Sequence, residues 1–236
     1  MINLSVNINK IATIRNARGG YNPSVSEAAI KCQEFGADGI TVHPRPDQRH
    51  ITKADILTLK DVVFKEYNIE GYPSVEFINM VTSIKPTQVT LVPDPPDAIT
   101  SSSGWDTIKF KDLLKEVVLE FHQHNIRTSI FIEPNIDMIE SAIFCDTDRI
   151  ELYTGEYAVN YNLDRERAIQ PYILAAEKAS SLGLGINAGH DLNLQNLGFF
   201  AQRIPFLSEV SIGHALISDA LYLGMENTIQ MYKRLL

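Results

Sequence analysis

Short apolar segments alternate with longer amphipathic segments along the whole chain. The run 38–43 is apolar, partly β-branched and brief, as in a buried strand, and the segment that follows has the 3.6-residue spacing of a helix. Strands are predicted at 4–8, 38–43, 68–72, 88–92, 128–133, 149–153, 184–187 and 209–212. Helices are predicted at 24–35, 52–67, 74–84, 110–125, 136–144, 164–182, 194–201 and 215–236, with Ser24 as an N-cap and Gly36 as a stop signal.

This strict alternation predicts a parallel sheet, and eight strand-and-helix units predict its closure into a TIM (β/α)8 barrel. With 236 residues, 44% of them hydrophobic, the chain suits a single domain over residues 1–236. A doubly wound sheet is the alternative. Such a sheet usually carries a glycine-rich phosphate fingerprint after its first strand, and the residues Asn7-Ile8-Asn9-Lys10 do not form one.

The composition of the chain indicates which kinds of binding partner and which cellular compartment to expect. The net charge is −8, whereas nucleic-acid binders usually carry a basic surplus, so an anionic ligand has to be captured by a local basic cluster. No apolar run approaches the ~20 residues that span a bilayer, and no signal-peptide pattern opens the chain. Cys32 and Cys145 resemble neither a disulfide framework nor a metal pair. We therefore expect a cytoplasmic protein without nucleic-acid or membrane partners.

Polar residues stand where the predicted strands end. In a TIM barrel these ends face the active site, and stability alone would favour Val, Ile or Leu there. The polar strand-end residues are Asn7, His43, Glu70, Glu133, Glu151, His190 and His214. Together they predict a site, although each has an ordinary structural explanation, such as a loop position for Glu133 or a helix start for His214.

The loop after His43 is stiff and basic. Pro44 and Pro46 fix the backbone on both sides of Arg45, and Arg49 and His50 follow. Cationic groups beside a strand-end histidine suggest a phosphate-bearing ligand next to a proton-transfer group. The alternative is a core histidine bordered by solvated arginines.

Two further turns pair glycine with histidine. Gly189-His190-Asp191 follows the seventh strand and Gly213-His214 the eighth, which is the usual phosphate-binding position of these barrels. Ordinary strand-to-helix turns are the alternative. The sequence thus suggests two facing anion sites, and the residues between them are His43, Glu70, Glu151 and His190.

The chemistry of that gap stays open at this level. Histidines and glutamates serve as general acids and bases, but they also bind divalent metals. Lys10 lies just past the first strand, so a Schiff-base mechanism is less favoured without being excluded. The Pro-, Ser- and Gly-rich stretch 94–106 has the length of an active-site lid.

The chain resembles the pyridoxine 5′-phosphate synthase family along nearly its whole length. The matching segments are VNINKIATIRNARGG (6–20), EFGADGITVHPRPDQRHIT (34–52), NIE (68–70), LVP (91–93), RIELYTGEYA (149–158), SLGLGINAGHDLN (181–193) and SIGHALI (211–217). The resemblance implies a TIM barrel that condenses 1-deoxy-D-xylulose 5-phosphate with 3-amino-2-oxopropyl phosphate. The products are pyridoxine 5′-phosphate, inorganic phosphate and water. It also implies that no metal or organic cofactor takes part, and that the chain forms a homo-octamer, a tetramer of dimers.

The resemblance also assigns roles to residues. It implies acid/base roles for His43 and Glu70, a proton-donor role for His190, and a further site carboxylate at Glu151. It places the aminoketone phosphate at Asn7, Arg18, Asp191, Gly213 and His214, and the deoxyxylulose phosphate at Arg45, His50 and Thr100.

Two departures from the family pattern bear on the site. Many members have Asp-His where this chain has Asn9-Lys10, so the contacts to the sugar hydroxyls differ there. Many also have glycine in place of Asp191. An inward carboxylate would repel a phosphate, so any contact at this position is expected to use the backbone N–H.

Overall fold

The strands pair in chain order in one parallel sheet, and the last strand closes on the first. The structure is a computed structural model and describes residues 1–94, 101 and 103–236. Within these residues the strands are β1 (Asn3–Asn7), β2 (Gly39–Val42), β3 (Glu66–Gly71), β4 (Gln88–Leu91), β5 (Arg127–Ile132), β6 (Arg149–Tyr153), β7 (Gly185–Gly189) and β8 (Leu207–Ile212). The predicted TIM barrel is confirmed.

Helices surround the barrel, and several begin at side-chain caps. They are α1 (Asn9–Arg18), α2 (Val25–Glu34), α3 (Lys53–Val62), α4 (Val75–Ile84), α5 (Lys111–Gln123), α6 (Ile136–Ala142), α7 (Gly155–Ser181), α8 (Leu197–Arg203), α9 (His214–Leu223) and α10 (Met225–Lys233). Ser24 accepts a hydrogen bond from the backbone N–H of Glu27, which confirms the predicted cap of α2. Thr52 and Asp55 form a capping box on α3. None of the described helices has both the length and the apolar character needed to cross a membrane.

The observed helices differ most from the predicted ones in four places. Helix α1 occupies a stretch expected to be loop, because only Ile11 and Ala12 bury and the stretch has no clear apolar stripe. Helix α3 ends early, at Val62, where the backbone becomes extended. Helix α7 begins well before the predicted start and contains a non-helical residue at Asp164. The closing helix is divided at Gly224, whose φ of 79° suits glycine.

Polar and apolar side chains divide between the two faces of the strands, with Phe131 as an apolar exception on the inward face. The outward face packs under the helices with residues such as Val6, Ile40 and Ile69, all fully buried. The inward face is polar, as at Ser5 and Thr41, whose hydroxyl oxygens lie 2.7 Å apart. Parallel barrels ordinarily fill this space with branched apolar residues. The polar interior was not predicted, and it connects directly to the cavity above it.

The described part of the predicted 94–106 lid packs on β5. The backbone N–H of Trp105 donates to the carbonyl of Phe131 at 2.8 Å, and the indole stacks on Tyr72. A Cβ atom at Gly104 would lie 2.4 Å from the backbone nitrogen of Glu133, so glycine is required there. Residues 95–100 and 102 of the predicted lid lie outside the described residues.

Candidate active site

A cavity of about 680 Å³ opens at the carboxyl ends of the strands. Its lining includes the predicted residues Asn7, His43, Arg45, His50, Glu70, Glu151, His190, Asp191, Gly213 and His214. Arg18 is exposed at the end of α1 and does not line this cavity, and Thr100 lies outside the described residues. Glu133 was expected to face the site. Its carboxylate instead accepts a hydrogen bond from the backbone N–H of Gly104 outside the cavity lining.

A buried histidine–carboxyl pair lies on one wall of the cavity. The Nδ1 atom of His43 is 3.6 Å from the carboxyl of Glu70, and both side chains are largely buried. Asn7 donates to the same carboxyl at 3.5 Å. Asn9 accepts a hydrogen bond from the backbone N–H of His43 at 3.0 Å, so this departure from the family pattern holds the end of β2.

Burial shifts the pKa of each member of this pair towards its uncharged form. It lowers the pKa of His43 to about 3, and the neighbouring Arg45 charge lowers it further. Burial also raises the pKa of Glu70 to about 7, against the opposing influence of Arg45. His43 is therefore a neutral imidazole at neutral pH, while Glu70 exchanges its proton in that range.

Glu151 supplies a second buried carboxyl. Only 3% of the residue is exposed, and burial together with the charge of Glu70 raises its pKa well above the usual range. Its Oε2 atom lies 3.4 Å from the hydroxyl of Thr90. A Cβ atom on Gly189 would lie 2.3 Å from the Oε1 atom, so the carboxyl occupies space that only glycine leaves free.

His190 and Asp191 both have left-handed backbone conformations, with φ of 80° and 58°. The Nδ1 atom of His190 lies 2.8 Å from the Asp191 carboxylate, and this contact lowers the pKa of Asp191. The Thr154 hydroxyl donates to the carbonyl of His190 and so helps to hold the turn. The positive φ explains why glycine suits the position of Asp191. The Asp191 carboxylate is directed to its neighbouring histidine, so it need not oppose a phosphate.

The structure changes the expected picture of Arg45. Its guanidinium lies 2.7 Å from the Asp94 carboxylate, and both side chains are buried. The hydroxyl of Ser101 donates to the same carboxylate at 2.6 Å. Arg45 is therefore a buried, paired cation, not part of a solvated rim. Asp94 and Ser101 were missed because nothing in the loop sequence shows which of its polar residues turn inward.

Further cationic groups complete the phosphate-facing side of the cavity. Lys10 and Arg49 line it together with His50. Burial and the neighbouring positive charges lower the pKa of His50 to about 4. Arg15 stabilises the loop that follows β2, because it pairs with Asp55 and donates a hydrogen bond to the backbone carbonyl of His50. Sequence reasoning missed Arg15 because the stretch 9–18 was not recognised as a helix.

The turn after β8 closes the opposite side. Gly213 precedes α9, and its Cβ position would lie 3.1 Å from Asn7, so the turn packs tightly against the end of β1. The N-terminus of α9, a ten-residue helix, begins at His214 on the cavity lining. Unpaired backbone N–H groups at such a helix start favour an anion.

A second cavity, of about 650 Å³, adjoins the first between α3 and α4. It shares His43 and Arg45 with the first cavity, and much of the rest of its lining is apolar. In the described part of the chain, no group of three His, Cys, Asp or Glu side chains is arranged to hold a metal ion.

Comparison with known proteins identifies the family of the chain. The family model for the pyridoxal phosphate biosynthesis protein PdxJ matches residues 4–236. The pyridoxine 5′-phosphate synthase of Christiangramia forsetii is 59% identical over the full length of both chains. That of Parabacteroides distasonis is 60% identical over 99% of this chain and 98% of its own.

Solved structures of more distant proteins share the fold. Phosphoribosyl anthranilate isomerase from Thermotoga maritima superposes with a TM-score of 0.60 at 14% identity, covering 99% of this chain and 98% of its own. Thiamine phosphate pyrophosphorylase from Pyrococcus furiosus gives 0.63 at 9% identity, covering 99% and 91%. At these identities the likeness shows a common barrel and nothing about the chemistry.

Proposed function

The chain belongs to the family of the pyridoxal phosphate biosynthesis protein PdxJ, and from this premise we propose that the cavity at its barrel mouth is the active site. The activity is that of a pyridoxine 5′-phosphate synthase in vitamin B6 biosynthesis. It condenses 1-deoxy-D-xylulose 5-phosphate with 3-amino-2-oxopropyl phosphate and releases inorganic phosphate and water. The observation that carries the assignment of the site is the buried His43–Glu70 pair, which lies in one cavity with Glu151 and His190.

The reaction is a series of proton transfers. An amine and a ketone must form an imine, water and phosphate must leave, and a ring must close, so several acid/base groups around one cavity are needed. His43 accepts protons as a neutral imidazole, and Glu70 gives and takes them near neutral pH. His190 acts as a proton donor, and Glu151 is the second carboxyl that faces the reacting atoms.

Two anion sites hold the substrates on either side of these groups. The deoxyxylulose phosphate binds at Arg45 and His50, where several positive charges converge. The aminoketone phosphate binds at the β8 turn, through Gly213, His214 and the backbone N–H of Asp191, with Asn7 alongside. The two anion sites bring the reacting carbons of the substrates together and so lower the entropic part of the activation barrier. Arg18 is left out of the proposal because it does not line the cavity.

The test is product formation by the purified chain. Supplied with the two substrates in buffer containing a chelator, it should form pyridoxine 5′-phosphate, because we propose that no metal or organic cofactor takes part. Loss of all activity on metal removal contradicts the cofactor part of the proposal. Lys10 lines the cavity, so a Schiff-base aldolase is the competing function. Borohydride trapping of substrate on Lys10 supports the aldolase, and tight binding without product supports a phosphosugar-binding protein.

Substitutions assign the roles. His43→Ala should lower kcat by ~10²–10⁴-fold, the usual effect of losing one acid/base group. Arg45→Ala should mainly raise the KM for the deoxyxylulose phosphate, because a charge-assisted contact acts in ground and transition states alike. If His43→Ala keeps full turnover and only melts at a lower temperature, His43 is a core histidine and its acid/base assignment is wrong.

We also propose a cytoplasmic homo-octamer assembled from dimers. The buried, unpaired cysteines suit a reducing compartment. Large apolar side chains are exposed on α9, where Leu221 is 69% and Tyr222 89% accessible. Light scattering that gives a stable monomer near the chain mass of 26.4 kDa contradicts the octamer.

A further inference from the structure

A row of hydrogen-bonded side chains crosses the polar interior of the barrel below the cavity. It starts at Glu151, whose Oε2 atom is 3.4 Å from the Thr90 hydroxyl. The Thr90 hydroxyl lies 3.1 Å from the Oδ1 atom of Asn68, and the Nδ2 atom of Asn68 lies 3.3 Å from the Thr41 hydroxyl. Ser5 ends the row, 2.7 Å from Thr41. Apart from Glu151, the members of the row have no role in the function proposed above.

The surroundings of Glu151 disfavour a negative charge. Among the described residues Thr90 is its one hydrogen-bond partner, and no cationic side chain binds it. The side chains that face it from neighbouring strands are Glu70, Thr90, Phe131, Asn187 and Glu209, while His43 and His190 line the same cavity. Two of these neighbours are themselves carboxyls. A buried carboxylate without a cation or several donors is strongly disfavoured, so Glu151 is the neutral acid.

A neutral Glu151 fixes the direction of the whole row. A hydroxyl group has a single proton to donate. The acid donates its O–H to Thr90, so the proton of Thr90 is free for the Oδ1 atom of Asn68, and Asn68 in turn donates to Thr41. Every member is then satisfied. An ionised Glu151 needs the proton of Thr90, which leaves the Oδ1 atom of the fully buried Asn68 without this donor unless its amide turns over.

We propose that Thr90, oriented by Asn68, is a positioning residue whose hydroxyl oxygen accepts a hydrogen bond from the O–H of Glu151 and so keeps this side chain a carboxylic acid. Glu151 then enters the catalytic cycle as a proton donor, whereas Glu70 is the carboxyl that both gives and takes protons. This use of the proton rests on the proposed synthase function. The protonation state itself does not.

The experiment is infrared spectroscopy of the substrate-free protein as a function of pH. The carbonyl stretch of a neutral carboxyl, present in the wild type at neutral pH and absent from Glu151→Gln, reports the proton on Glu151. In Thr90→Val the acid loses its acceptor and should ionise about one pH unit lower, the equivalent of one net hydrogen bond. Thr90→Ser keeps a hydroxyl and should restore the wild-type titration.

Two further variants keep the test informative if Thr90→Val folds poorly. In Asn68→Ala the proton of Thr90 becomes available to an ionised Glu151, so the titration should again move down. Thr128→Val is the matched control, since it removes a fully buried threonine hydroxyl that binds Asp148 at the other end of the barrel. It should leave the Glu151 titration unchanged, whatever it does to stability.

The outcomes separate this inference from the proposed function. Absence of a neutral-carboxyl band for Glu151 at neutral pH overturns it. A Glu151 pKa that rises or does not move in Thr90→Val also overturns it. A threonine that donated to an ionised Glu151 would lower the pKa of that carboxyl, so its loss would raise the pKa. In turnover assays Thr90→Val should lower kcat by up to about tenfold at pH values above its own Glu151 pKa, because a one-unit shift changes the protonated fraction by at most that factor. KM should stay near wild type, and Thr90→Ser should recover kcat. If the infrared shifts appear but no pyridoxine 5′-phosphate forms, the proposed function fails and the protonation state stands.

Discussion

The buried ion pair between Arg45 and Asp94 allows a stability prediction of defined size. Their charged atoms are 2.7 Å apart, and 6% of the Arg45 and 4% of the Asp94 side chain is exposed. At an effective dielectric constant of ~20, this separation corresponds to an attraction of about 6 kcal/mol, much of which offsets desolvation. Asp94→Ala leaves the arginine buried and without this carboxylate. We expect it to lower the free energy of unfolding by about 3–5 kcal/mol.

The assay is urea denaturation, which gives the free energy of unfolding of the wild type, Asp94→Ala and Glu76→Ala. Glu76→Ala is the matched control, because Glu76 pairs with Lys53 on the surface, where 71% and 65% of the side chains are exposed. Loss of such a pair should change stability by about 0–1 kcal/mol. If Asp94→Ala is no more destabilising than Glu76→Ala, the Arg45–Asp94 pair does not stabilise the loop that follows β2.

Inorganic phosphate extends the same experiment to binding. An anion that replaces Asp94 beside Arg45 binds the folded protein and stabilises it by mass action. Added phosphate should therefore raise the unfolding free energy of Asp94→Ala more than that of the wild type. An equal or smaller increase in the variant means that Arg45 is not an anion ligand, and its proposed contact with the deoxyxylulose phosphate is wrong.

Three further substitutions test the local geometry. Gly189→Ala should displace the Glu151 carboxyl, because the new Cβ atom would lie 2.3 Å from its Oε1 atom. The overpacking should lower the free energy of unfolding by about 1–3 kcal/mol, and kcat should fall. Unchanged melting temperature and turnover would contradict this contact. His43→Gln should make stability less sensitive to acid. The folded pKa of His43, about 3, lies below its ordinary 6.5, so the stability that neutral His43 contributes is fully present above pH 6.5 and is lost as the pH falls towards 3. A variant whose stability falls as steeply in acid as that of the wild type would refute this. Asp191→Gly should keep stability within about 1 kcal/mol, because φ is 58°, and should retain turnover; a tenfold loss would show that its carboxylate orients His190 for catalysis.

The periodicity of the sequence was sufficient for the barrel. Each βα unit carries its own local signals, such as the cap at Ser24, and the strand order of a parallel barrel follows from strict alternation. The errors fall where local signals are weak: α1 has little apolar stripe, and the break at Gly224 lies inside a continuous amphipathic run. The family and the activity were also available from the sequence, because their motifs are contiguous segments.

Strand ends predicted much of the cavity lining, since topology alone brings the ends of parallel strands together. The partners of these residues were decided by the tertiary structure. Nothing in the sequence pairs Arg45 with Asp94, 49 residues away, or directs Glu151 to Thr90, 61 residues away. Such contacts depend on barrel register and on which loop side chains turn inward. The charge state of each group depends in turn on these contacts and on burial. The sequence therefore specified which chemical groups reach the mouth of the barrel, and only the packed fold determined which of them carry protons.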